Sequence, residues 1–108
     1  MSQGSRLQLV GMWKALDEVR HKRERQVVVH GRSRLHDDLH ADGEIAIAAI
    51  PYIQSAYMEE LGLTAEELLV FWPWPNEPPK LAQPRRELLL NAAALLVAEI
   101  ERLDRIEP

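Results

Sequence analysis

The chain has 108 residues with a formal net charge of -4, and is 46% hydrophobic and 28% charged; this describes one small folded domain over residues 1–108 and argues against a disordered tail or a general nucleic-acid binder. It contains no cysteine, which removes disulfide scaffolds, thiolate nucleophiles and cysteine-ligated zinc. No stretch approaches about eighteen uninterrupted apolar residues, and the start, MSQGSRLQLV, lacks the basic-then-apolar pattern of an export signal, so a soluble cytoplasmic protein with no membrane partner is expected.

Residues 1–4 read as a short flexible lead. Ser5 and Gln8 then have capping-box spacing, and Leu9, Met12, Trp13, Leu16 and Val19 recur every three or four residues, predicting a first helix with one buried face. Arg23 continues that face, either as a long side chain snorkelling outward or as the partner of a buried anion. QVVVH, residues 26–30, is β-branched, but no second strand is evident to pair with it, and it reads as the helix end before Gly31. Ser33 is expected to cap a second helix through Leu35, Ala41, Ile45, Ala48, Ala49 and Ile53. Asp37 and Asp38 lie in its first turns, where the helix dipole favours negative charge. Pro51 is expected to kink or break this helix.

Thr64 and Glu67 form another capping box, predicting a short helix. Residues 71–84, FWPWPNEPPKLAQP, hold five prolines and two tryptophans; they exclude a regular helix and predict an ordered loop pinned to the bundle by Trp72 and Trp74. Pro84 suits the first turn of the last helix, 84–105. Between Leu88 and Ala98 only Asn91 is not apolar, so enclosure on nearly all sides is expected. The most apolar stripe runs through Leu88, Leu89, Ala92, Leu96 and Leu103, and Glu99 falls inside it. A buried carboxylate needs a partner, a metal or a raised pKa. Together these elements predict an all-α fold: a small helical bundle of three long helices, a short helix and an ordered Trp/Pro-rich loop. The last helix needs more apolar cover than its neighbours supply, so a homodimer or higher homo-oligomer is expected.

The most polar run is HDDLHADGE, residues 36–44. On a helix His36, His40 and Glu44 share a face that turns apolar at Ile47 and Pro51, as an internal site at one end of a bundle would. Two histidines and a carboxylate at this spacing can hold a metal, and the competing reading is a solvated first turn. The carboxylates favour Mg2+ or Mn2+, while the histidines leave zinc open. For Glu99 the rival is a plain ion pair with Arg102, and Glu101 and Asp104 read as a solvated helix end. Lys80, Arg85 and Arg86 can supply the basic side of a pocket for a metal-bound phosphate.

Three blocks taken together, HDDLHADGEIAIAA (36–49), WPWP (72–75) and RRELLLNAAALLVAEIERLDR (85–105), resemble small phage and prophage proteins related to the MazG-like nucleotide pyrophosphohydrolases. That group's pattern is an ER..Q helix end, an HDD.H..GEL..AA helix, a tryptophan-proline loop and a final R.L..A.AL..AEIERLDR helix. The resemblance implies an all-α, often dimeric or tetrameric, domain that uses Mg2+ to hydrolyse a nucleoside triphosphate to monophosphate and pyrophosphate. Carried over by position, Asp37, Asp38, His40 and Glu44 match the second block, Glu99, Glu101 and Asp104 the last, and Arg23 and Gln26 the ER..Q end. The wider superfamily's EExxE block is here rich in histidine and aspartate, whereas Glu101 and Asp104 keep its ExxD spacing. The expected metal ligands are then Asp37, Asp38, His40, Glu44 and Glu99, with Glu44 and Glu99 as catalytic candidates. Arg23, Gln26, Lys80, Arg85, Arg86, Trp72 and Trp74 are the candidate contacts of the triphosphate. The alternative is a noncatalytic phage accessory protein that binds nucleotide or a host protein through its helical surface.

Overall fold

A run free of proline and rich in Leu, Arg, Lys, Glu and Gln favours a long helix, and α1 spans Gln3–Val28 in this computed structural model, which describes residues 3–28 and 37–106. The helix starts at Gln3, ahead of the Ser5 expected to open it, and the side chains of Ser5 and Gln8 lie outside those described. Gly31, Ser33, Leu35 and His36, on which the expected stop and second start rest, lie outside the described residues.

The second helix is not one continuous rod. Asp37 and Asp38 are helical, the chain then turns, and helix resumes as α2 (Glu44–Ile47), α3 (Ala49–Ala56) and α4 (Met58–Leu61). The first break is set by Gly43, at φ 84, a left-handed conformation that glycine adopts without steric cost. The second falls at Ala48, within one turn of Pro51, which has no N–H to give the Ile47 carbonyl four residues back, as expected of a proline that marks a break. Pro51 itself is buried in the first turn of α3.

The Thr64–Glu67 capping box forms, with Thr64 N–H donating to Glu67 Oε1 at 3.1 Å and Glu67 N–H to Thr64 Oγ1 at 3.4 Å. It opens only a 3-10 turn, Glu67–Leu69. The proline-rich loop follows, and α5 spans Arg85–Ile106. Pro84 supplies the first acceptor of α5, its carbonyl taking the Leu88 N–H at 3.1 Å.

The core forms where α2 and α3 lie on α5. Ile45, Ala48, Ala49, Tyr52 and Ala56 meet Leu88, Ala92, Leu95 and Ala98, and the many alanines let the helices approach closely. Trp72, Trp74 and Leu81 of the loop close one side of this cluster. The Trp72 indole N–H donates to the carbonyls of both Trp74 and Glu77 at 2.9 Å, pinning a loop whose prolines cannot donate. Tyr52 and Trp74 meet the Trp72 ring edge-on, with centroids 6.1 and 5.2 Å away.

Two helix faces depart from expectation. The buried side of α5 runs Leu88, Ala92, Leu95, Glu99, Arg102, while Leu96, Ile100 and Leu103 are exposed. The predicted stripe is therefore rotated by one residue in its second half, and α5 is not enclosed all round. Helix α1 also keeps Met12, Trp13 and Leu16 exposed, Trp13 at 64%. It docks on α5 through charge: Glu18 pairs with Arg86, Lys22 with Glu87 at 3.0 Å, and Arg23 with Glu101 at 3.4 Å. Among the described residues no strand forms, and no helix is long and apolar enough to cross a membrane.

Candidate functional site

Near its C-terminal end α1 buries Arg23 and Gln26, which are one turn apart on the same face. Arg23 Nη2 donates to Asp37 Oδ2 at 2.6 Å and reaches Glu101 Oε2 of α5 at 3.4 Å. Beside it, Arg105 Nη2 donates to Asp38 Oδ1 at 2.7 Å. The Asp37–Asp38 segment and the end of α5 thus face each other, with the Arg23 guanidinium between Asp37 and Glu101 and Arg105 of α5 on Asp38. Further into α5, Glu99 is 7% exposed and accepts from Arg102 Nε at 2.5 Å, the ion pair that one helical turn makes available. Burying two charges in contact offsets part of the desolvation that either would suffer alone.

The turn after Asp38 builds a second corner. His40 Nδ1 donates to Glu44 Oε2 at 2.9 Å, although no continuous helix joins them. The turn through Gly43 brings the Asp42 N–H to Glu44 Oε1 at 2.6 Å. Desolvation pushes the Glu44 carboxyl up, but the bonds from His40, from the Asp42 amide and from its own amide outweigh it. Glu44 therefore titrates below the ordinary glutamate value. The other face of this corner is Trp74, whose ring centroid lies 5.2 Å from that of His40.

A groove of about 900 Å³ opens between the end of α1, the proline-rich loop and α5, with Gln26, Lys80 and Trp72 in its lining. Tyr52, Asn91, Lys22 and Arg25 line it as well. Asn91 stands out in the sequence as the one polar residue between Leu88 and Ala98; Tyr52, Lys22 and Arg25 carry no such local mark and reach the groove through long-range packing. Arg105 is the other participant that sequence reasoning missed; its place in the basic last turn of α5 was the available signal.

The remaining candidates go elsewhere. Arg85 donates to the Ala56 carbonyl at 2.7 Å, pairs with Glu60 and lies 4.5 Å over the Tyr57 ring, stapling the end of α3 to α5. Arg86 pairs with Glu18. Neither lines the groove. The carboxylate oxygens are the right donor type for a hard divalent cation. Their arrangement, however, makes no protein cage: among the described residues no three His, Asp or Glu side chains are grouped to hold a metal ion. Arginine, not a neighbouring carboxylate, faces Asp37, Asp38 and Glu99. No family model matches the chain, and no curated protein or solved structure does.

Proposed function

We propose that this chain hydrolyses a nucleoside triphosphate to monophosphate and pyrophosphate, as a cytoplasmic homodimer or higher homo-oligomer. The observation that supports this most is the meeting of Asp37, Asp38 and Glu101 with Arg23 and Arg105 at one place, beside a groove wide enough for a nucleotide. Guanidinium groups bind phosphate in the same forked way as they bind carboxylate. A triphosphate entering the cluster competes for Arg23 and Arg105, and the carboxylates they release turn toward whatever cation the triphosphate carries. Mg2+, or Mn2+, belongs to the proposal in that form. Magnesium on a nucleotide needs only one or two protein carboxylates beside the phosphate oxygens, so a three-carboxylate cage is not required. Glu44, held below the ordinary glutamate value, stays charged at neutral pH and suits holding a cation better than taking a proton.

The test is turnover. Purified protein with magnesium and a panel of nucleoside triphosphates is followed for pyrophosphate release, alongside Glu44→Gln and Glu99→Gln. Release that both substitutions reduce by about a hundredfold or more supports the reading; no release from any triphosphate sinks it.

A noncatalytic accessory protein is the second reading, and one observation favours it: Asp37, Asp38 and Glu99 are each already held by arginine. In that case the cluster is a structural clamp, and the exposed row Met12, Trp13 and Leu16 is the working surface. Nucleotide binding without turnover, or a helical partner captured by that row, distinguishes it.

A further inference from the structure

Helix α1 docks on the body through its C-terminal half only. The ion pairs that hold it to α5 begin at Glu18, and every residue from Val10 to Asp17 is exposed. The face that buries Arg23 continues toward the N-terminus through Val19 and Leu16 to Leu9, with Met12 and Trp13 beside it. The free half of α1 therefore carries an apolar row that no described part of its own chain covers.

Helix α5 carries a matching row. Leu96, Ile100 and Leu103 are exposed on its uncovered side, Ile100 at 57%. They stand at i, i+4 and i+7, the same spacing as Leu9, Trp13 and Leu16, and each set spans about 10 Å of helix. A repeat of this kind forms a seam that packs against a second helix with the same repeat. Lys14 borders the α1 row and Asp104 borders the α5 row, and neither has an ion pair among the described residues.

We propose that two copies of this chain exchange these faces, the N-terminal half of α1 in each lying on Leu96, Ile100 and Leu103 of the other. The inference rests on the oligomer of the reading above and adds which surfaces meet; it does not depend on hydrolysis. Area favours a second copy as the occupant. Met12, Trp13, Leu16, Leu96, Ile100 and Leu103 each expose on the order of 100 Å², so a two-fold exchange that covers both rows of both copies buries about 1,200 Å², the size at which specific interfaces begin. A single α1 row on a single α5 row covers only half of that, the scale of a casual contact. The two-fold exchange also sets the Lys14 cation and the Asp104 anion on opposite partners.

Complementation between variants tests the pairing, read by sedimentation equilibrium of the full chain. Wild type is expected at twice 12.4 kDa. Trp13→Glu and Ile100→Glu change exposed side chains, and each is expected to sediment as a monomer while keeping the helical circular dichroism of wild type. Mixed in equal amounts, the two are expected to associate at least about tenfold more tightly than either alone, because the intact α1 row of one then meets the intact α5 row of the other. Leu61→Glu, a comparably exposed leucine outside both rows, is expected to leave the dimer intact. A dimer that survives Trp13→Glu or Ile100→Glu, the absence of any gain on mixing, or dissociation by Leu61→Glu overturns this assignment of faces and leaves the oligomer standing. A wild-type monomer overturns both. Pyrophosphate release is measured separately, so the hydrolytic reading stands or falls apart from these outcomes.

Discussion

Arg23 and Asp37 form an ion pair at 2.6 Å with side chains that are 9% and 3% exposed, tying the end of α1 to the segment that leads into α2. Because both charges are out of water, losing one partner removes the other's nearest counter-charge. Arg23→Met is expected to destabilise the fold by about 3–5 kcal/mol, with Asp37→Leu paired with it recovering most of the loss. Urea unfolding of the single and double variants measures this. A single-variant loss near zero would mean that the pair contributes no stability.

Glu44 links stability to pH. Its folded carboxyl lies below the ordinary value of 4.5 through bonds from His40 and the Asp42 and Glu44 amides, which outweigh desolvation. A depressed carboxyl stabilises the fold above the unfolded value and loses that contribution as pH falls through the folded one. Thermal melts of wild type and Glu44→Gln are therefore expected to differ by a constant amount from pH 7 down to about 4.5 and to converge in more acid solution. Curves that stay parallel throughout would refute the linkage.

Gly43 is the hinge of the same corner. A Cβ there meets Ile47 Cδ1 at 3.7 Å, an ordinary contact, so the penalty of substitution lies in the backbone at φ 84. Gly43→Ala is expected to cost about 1 kcal/mol, and Gly43→Asn less, because asparagine tolerates the left-handed region. Guanidinium unfolding ranks the three. An alanine variant as stable as wild type would show that the turn relaxes.

Trp13, 64% exposed beside Met12 and Leu16, tests self-association. Sedimentation equilibrium of the wild type is expected to give a dimer or a higher multiple of 12.4 kDa, and Trp13→Glu a monomer. A wild-type monomer at the same concentration contradicts the oligomer.

Local patterns were readable where the cause is local. The prolines of residues 71–84 forbid helix by chemistry, the Thr64–Glu67 box satisfies its own amides, and Glu99 is buried as the period of α5 predicts. The second helix misled because its apolar period survives across a break. Apolar spacing does not register a glycine at positive φ. In the site, the sequence carried the expectation of one ligand set joining Asp37, Asp38, His40 and Glu44 to Glu99, with Glu101 a solvated end. The structure holds Asp37 and Asp38 through Arg23 and Arg105 and Glu99 through Arg102, and the Arg23–Glu101 and Arg105–Asp38 pairs were not legible because they join residues far apart in the chain.

By itself, then, the sequence determined the helical class, the irregular Trp/Pro loop and the presence of a charge inside the stripe of α5, because backbone chemistry and residue period act within a few residues. Which carboxylates Arg23 and Arg105 hold, and which half of α5 stays uncovered, were decided only by tertiary packing. The cost of burying a polar group depends on the neighbours that the fold brings, and those come from distant parts of the chain.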